Sequence, residues 1–131
     1  MPQGSDTPNN PIVETNSLIA SDRVQSTRVF GRDGDKLGTV HNFMVDKRSG
    51  QIAYVVVSTG GFLGLGQAYH PLPWSFFSYD AQQDGYVVRV DKRMLEGGPS
   101  FRPDTAPNFD DSYGKRVSDY YAAEAGGTPA Y

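Results

Sequence analysis

The chain has 131 residues, enough for one domain with its own core and too few for two of ordinary size. Hydrophobic residues make up 37%, charged residues 21%, and the formal net charge is −3, a balance that argues against a large basic footprint for nucleic acid. The lack of cysteine removes disulfides, thiolate metal ligands and cysteine nucleophiles, and no apolar run approaches the roughly 20 residues that span a bilayer.

Residues 1–17 hold three prolines and few apolar side chains, a composition that does not offset chain entropy and predicts a disordered arm. Up to residue 22 there is no Lys or Arg and no apolar centre, so the stretch does not read as a secretory signal, and the cytoplasm is the expected address. Order is expected from Leu18-Ile19-Ala20, with Ser21-Asp22 capping a turn before a first strand at Gln25 to Gly31 and a turn at Arg32-Asp33-Gly34-Asp35.

Between Leu37 and Asp46 the apolar positions change phase, Val40 on one parity and Phe43 and Val45 on the other, which predicts a bulge near His41-Asn42 in a bent strand. Lys47-Arg48-Ser49-Gly50 places glycine where a hairpin wants positive φ, and Gln51 to Thr59 returns as the strongest strand signal in the chain. That strand is apolar on both faces, with Ile52, Tyr54 and Val56 on one and Ala53, Val55 and Val57 on the other. A barrel strand ordinarily shows one face to water, so something must cover the second. Two covers are available: a C-terminal segment in which Tyr113, Val117, Tyr120 and Tyr121 fall near helical spacing, or a second copy of the chain.

The loop Gly60 to Gly66 matches neither the dinucleotide nor the Walker phosphate pattern and carries no lysine. Its apolar members Phe62, Leu63 and Leu65 either plug a barrel mouth or meet another protein. Strands near Ala68 to Leu72, Ser75 to Tyr79 and Tyr86 to Val90 bring the total to about six, with Trp74 as a core or interface anchor. Asp91 is placed to cap a helical turn at Lys92 to Glu96 that Gly97-Gly98-Pro99 would end. Residues 100–108 read as extended, Phe109 to Ala123 as a short helix weakened by Gly114, and Glu124 to Tyr131 as a frayed end.

Catalytic constellations are not legible. His41 and His70 show no ligand spacing with Asp46, no serine is placed against either imidazole, and Asp110-Asp111 suits a helix N-terminus better than acid–base work. Lys47, Arg48, Lys92 and Arg93 are interspersed with Asp33, Asp35, Asp91 and Glu96, a solvated pattern more than an RNA patch. The expectation is a non-enzymatic chain without cofactor or metal, whose candidate interaction residues are Phe62, Leu63, Leu65, Tyr54, Trp74, Tyr113 and Tyr120.

Three segments, Gly60-Gly61-Phe62-Leu63-Gly64, Pro71-Leu72-Pro73-Trp74 and Gly85-Tyr86-Val87-Val88, together with Val29-Phe30 and Gly38, resemble the PRC-barrel domain, in its stand-alone bacterial form, over roughly Ile19 to Phe101. The resemblance implies an all-β fold: a small PRC-type β-barrel of about six strongly bent, mostly antiparallel strands with short helical turns, spanning 18–101 and followed by a C-terminal extension, 102–131. It also implies an adaptor role without catalytic residues, since known members use the domain to contact large assemblies. The two-faced strand and apolar loop add the expectation of a homodimer. An RNA-processing or ribosome-assembly role and a small-ligand-binding barrel are the alternatives.

Overall fold

Asp46 sets the central hairpin: its Oδ1 accepts the backbone N–H groups of Arg48 at 2.8 Å and Ser49 at 3.0 Å, while Gly50 takes φ 76°. These bonds hold the Asp46 carboxyl below the usual carboxylate range, the Ser49 N–H contributing most. In the computed structural model, which describes residues 18–60 and 66–124, this turn joins strands β2 (Lys36–Val45) and β3 (Ile52–Thr59). A one-turn helix α1 (Ser21–Val24) and a short β1 (Arg28–Phe30) precede them. After them come β4 (Ala68–Pro73), a 3₁₀ turn (Trp74–Phe76), β5 (Phe77–Asp80), β6 (Gly85–Val88), and helices α2 (Lys92–Gly97) and α3 (Asp111–Glu124). The expected arm 1–17, the loop residues Phe62, Leu63 and Leu65, and the end 125–131 lie outside the described residues.

The six strands form one sheet in the order β4-β3-β2-β1-β6-β5, with every neighbouring pair antiparallel except β1–β6. The bulge expected near His41-Asn42 is present, as a register shift between Val40 and Asn42, and a second shift falls between Met44 and Val45. One long bent strand, β2, therefore pairs with β1 through Lys36 to Thr39 and with β3 through Thr39 to Val45. At the crossing, Gly38 passes so close to β3 that an added Cβ would land on the Ser58 carbonyl oxygen. The first strand is shorter than expected because the chain turns at Ser26, which holds φ 68°.

The expected barrel is present only as far as a six-stranded sheet whose ladder does not close among the described residues, and β4 shows how its edge is blunted. Tyr69 exchanges both backbone hydrogen bonds with Phe101, at 2.8 and 2.9 Å, so its N–H and C=O face the edge away from β3. Backbone groups two residues apart point the same way, so the amide positions of Pro71 and Pro73 face that edge too, and neither carries an N–H. No ladder joins β4 to β5 among the described residues, and the Trp74–Phe76 turn links these two end strands covalently. The all-β expectation is thus corrected to a mostly-β six-stranded sheet with a few helices, its ladder not closed among the described residues.

Tyr54, Val55, Val56 and Val57 are all buried. Antiparallel partners share a face, which places Val55 and Val57 with Leu72, Val40 and His70, and Tyr54 with Met44 and Pro73. The C-terminal segment covers Tyr54: the rings of Tyr113 and Phe109 lie 6.1 and 6.4 Å away, and Gly114 brings the helix backbone close to the phenol. Tyr113, Val117 and Tyr121, at i, i+4 and i+8, form the buried stripe of α3, and Tyr121 packs edge-on to Phe76 at 5.9 Å. The Asp91 cap is as expected, its Oδ1 accepting the Met94 N–H at 2.9 Å, and Arg32 pairs with the other carboxylate oxygen at 3.0 Å. No helix among the described residues is long and apolar enough to cross a membrane.

Two stability outcomes follow from this packing. Gly38→Ala forces its methyl into backbone and should cost about 3 kcal/mol in urea unfolding. The Tyr121 hydroxyl is buried without a hydrogen-bonding partner among the described residues, so Tyr121→Phe should leave the unfolding midpoint unchanged or raise stability by up to about 1 kcal/mol; a clear loss would show that the hydroxyl has a partner in solution.

Candidate interaction site

Alternation along β5 and its pairing with β6 build an aromatic face at the end of the sheet. Phe77 and Tyr79 point the same way, and the register sets Tyr79 opposite Tyr86 and Phe77 opposite Val88. Trp74 enters from the 3₁₀ turn and stacks on Phe77 at 5.7 Å, with Tyr86 edge-on to Trp74, Phe77 and Tyr79 at 5.9, 5.8 and 5.6 Å. Tyr86 is buried at the centre, Trp74 and Phe77 are half-buried, and Tyr79 is 50% exposed. Such offset and edge-on rings gain about 0.5–1.5 kcal/mol per pair beyond area burial, which fixes the rotamers of the exposed members.

The turn between the two strands is tightly specified. The Tyr79 hydroxyl donates to Asp84 Oδ1 at 2.7 Å, Asp80 Oδ1 accepts the Gln82 N–H at 2.9 Å, and Arg28 reaches from β1 to donate to the Gln83 carbonyl at 3.0 Å. Asp80 is held below the ordinary carboxylate range, chiefly by the Gln83 side-chain amide and then by the Gln82 N–H.

Beside this face lies a surface cleft of about 570 Å³, with Ile19, Arg23, Ser26 and Arg28 on one wall and Tyr79, Asp84 and Tyr86 on the other. Ile19, 40% exposed, is the aliphatic side chain of its lining. Ser26 and Asp84 are the two non-glycine residues with positive φ among those described, at 68° and 52°, and both line the cleft. Asp tolerates that region through its short polar side chain, whereas Ser26 is held there by its own N–H to the Val40 carbonyl at 2.7 Å and by the Val40 N–H to Thr27 at 2.8 Å.

Of the residues singled out from sequence, Trp74 belongs to this face. Tyr54 and Tyr113, each 6% exposed, lie between sheet and α3, and Tyr120 donates its hydroxyl to the Met94 carbonyl at 2.8 Å, tying α3 to α2. Their contribution in this conformation is internal packing. Burial pushes the Tyr54 hydroxyl up to about 12, with Tyr113 and Asp110 adding to it, and raises Tyr113 as well, so both stay neutral. Phe62, Leu63 and Leu65 fall outside the described residues. Tyr79, Tyr86, Ile19 and Arg28 were not singled out. The signal available for the first two was the Phe77/Tyr79 alternation ahead of a turn containing Asp84-Gly85, which pairs Tyr79 with Tyr86.

The histidines have separate settings. His41 is exposed and stacked on Tyr69, with ring centroids 4.2 Å apart and 11° between planes. His70 is buried, its Nε2 3.0 Å from Thr59 Oγ1. No group of three His, Asp or Glu side chains is arranged to hold a metal ion among the described residues.

Burial pushes the His70 imidazole below its ordinary 6.5, while the Leu95 backbone and the Glu96 charge oppose the shift without cancelling it. The unfolded chain therefore binds a proton at higher pH than the folded chain. Stability should be full above about pH 6.5 and fall as pH drops toward the folded value. Comparing urea midpoints at pH 7.5 and 5.5 checks this, with His70→Gln expected to lose most of the slope in that window. An unchanged slope would assign it to another group; Asp46, Asp80 and Asp91, whose values are lowered, act only in more acidic solution.

A family model, the PRC-barrel domain, matches residues 17–95, ending in the middle of α2. No curated protein matches the chain. The match takes in all six strands, the Trp74 cluster and the cleft, and α3 lies beyond it. With more than half of its length matched, the chain belongs to the PRC-barrel domain family.

Proposed function

We propose that this chain is a non-enzymatic protein-interaction module that docks a partner protein through Trp74, Phe77, Tyr79 and the adjoining cleft, and that it also self-associates. Membership of the PRC-barrel family supports an interaction role in general. The observation that carries the location is the coincidence of backbone strain with an exposed aromatic face: Ser26 and Asp84, the non-glycine residues held at positive φ, line the cleft that Tyr79 borders. Strain of this kind costs on the order of 1–3 kcal/mol at Ser26, less at Asp84, whose short side chain tolerates the region, and such residues cluster at functional sites. Tyrosine, tryptophan and arginine are the side chains that dominate protein-interface energetics, and Trp74, Tyr79, Arg23 and Arg28 are gathered here.

An RNA-directed role gains nothing from this cleft, where Asp22 and Asp84 offset Arg23 and Arg28. A small-ligand role is the second reading, favoured by a cleft volume within the usual range for such sites. The apolar loop residues Phe62, Leu63 and Leu65 belong to the proposed contact surface on sequence grounds.

Partner capture from native cells by tagged wild type, by Ile19→Ser/Tyr79→Ser and by Phe62→Ser/Leu63→Ser/Leu65→Ser, all shown to be folded by circular dichroism, tests the reading. A partner retained by wild type should bind the first variant at least tenfold more weakly when the purified pair is titrated. Equal capture by all three chains would remove the proposed surface, and binding of small molecules in place of a protein would favour the second reading. Sedimentation should give a mass near twice 14.3 kDa; a monomer at every concentration would remove self-association.

A further inference from the structure

We propose that α3 leaves its seat on the sheet and that the face it uncovers receives α3 of a second copy, so that two chains exchange their C-terminal helices. This rests on the self-association proposed above and names its route.

The first observation is a mismatch between the family unit and its cover. Tyr54 belongs to the matched region, yet what buries it, Phe109, Tyr113 and Gly114, lies beyond residue 95. The unit matched by the family model thus carries an apolar face that an appended segment covers. A helix that completes a fold from outside the family unit is a separable part, and the face beneath it is a groove with a defined template.

The second observation is the quality of the seat. Tyr113 and Tyr121 are buried with 6% and 0% exposure, and neither hydroxyl has a hydrogen-bonding partner among the described residues. Leaving the seat returns both to water, a gain that offsets part of the lost packing. Gly114 sits within the helix, where it weakens the helical state, and the ion pair on the outer face, Lys115 with Asp119 at 2.8 Å, is solvent-exposed. Apolar contact holds α3, with one cross-element side-chain hydrogen bond among the described residues, Tyr120 to Met94.

The third observation is the tether. Between α2 and α3 the chain has no helix and no strand beyond the Phe101 bridge to Tyr69, only a turn in which the Thr105 N–H donates to the Arg102 carbonyl at 3.0 Å, and Pro99, Pro103 and Pro107 keep helix from forming there. Residues 102–110, drawn out from the Phe101 anchor, reach about 30 Å, enough to carry the helix to a neighbouring molecule.

Any helix entering the groove must present an aromatic, a β-branched and an aromatic residue at i, i+4 and i+8, the pattern of Tyr113, Val117 and Tyr121, and every second copy brings one. Exchange restores the Tyr54–Tyr113 and Phe76–Tyr121 contacts and the Tyr120 bond between chains, and changes only the tether, which is why swapped dimers form at low cost.

The test uses the full chain, which has no native cysteine. A spin label on Lys115→Cys, at an exposed position of α3, is mixed with ¹⁵N-labelled wild type that carries no label, at concentrations where sedimentation shows the dimer. Exchange should broaden the Tyr54 and Val56 amide signals of the unlabelled copy at least twofold, the pattern the label gives within its own chain. Asp119→Cys provides a second label site on the same helix. In native-state hydrogen exchange, α3 amides should exchange at least tenfold faster than those of β3. A dimer without intermolecular broadening at β3, or equal exchange rates in α3 and β3, would overturn helix exchange and leave self-association standing. A chain that stays monomeric would overturn both.

Discussion

Everything in this fold follows from a strand with no water-facing side. Tyr54 to Val57 are four consecutive buried residues, and successive side chains of a strand point to opposite faces. Burial of such groups contributes roughly 1.5–3 kcal/mol each, or about 6–12 kcal/mol for the four, comparable to the whole net stability of a small domain. Neither face can be left wet. On one face Val55 and Val57 lie beside Leu72, Val40 and His70 of the neighbouring strands, and all five are buried. On the other face Tyr54 is covered by a helix, which α3 supplies.

The way the sheet stops determines what its ends offer. Tyr69, Pro71 and Pro73 direct their backbone positions to the same edge of β4. The first is taken by Phe101 and the other two have no hydrogen to give, so β4 is blunted along its length. The three-residue connection Trp74–Phe76 then carries the chain to β5 at the far end of the sheet, and the aromatic side chains gather where the ladder fails to close. The Trp74 cluster is in this sense a consequence of the prolines. A closed ladder would place β5 against β4 and remove the sheet ends on which the cluster and the cleft beside it are built.

Local rules made some of this legible in the sequence. The phase change at Val40 to Phe43, the Asp46-to-Gly50 turn, the Asp91 cap and the two-faced strand each depend on residues within a few positions of one another, and each is found in place. What was not legible depends on distant partners. The edge faced by Pro71 and Pro73 is fixed by the bond between Tyr69 and Phe101, so an open sheet could not be told from a barrel. Which of two covers lies on Tyr54 was left open for the same reason, and α3 now answers it within the chain. Ser26 gave no hint of φ 68°, because its backbone is held by Val40, on the far side of a β-turn and a bulged strand. The aromatic face divides along this line: Trp74 was singled out by its residue type, and placing Tyr79 and Tyr86 beside it needed the strand pairing.

The glycine-rich loop shows how a motif can identify a family without carrying its chemistry. At its base Thr59 meets His70 at 3.0 Å, the Gln67 amide donates to the Ser58 hydroxyl at 3.2 Å, and Gly60 and Gly66 hold φ 70° and 72°. A Cβ at Gly60 would stand 2.7 Å from the Gly66 carbonyl oxygen, closer than real Cβ atoms approach backbone. These requirements are steric, and glycine meets them at both ends of the loop whatever the domain binds. The buried imidazole beside them stays neutral at ordinary pH and serves as a hydrogen-bonding spacer between loop and core, a structural task. Gly60 and Gly66 are thus placed to let two strands part and return, a demand of the backbone that is met before any partner is considered.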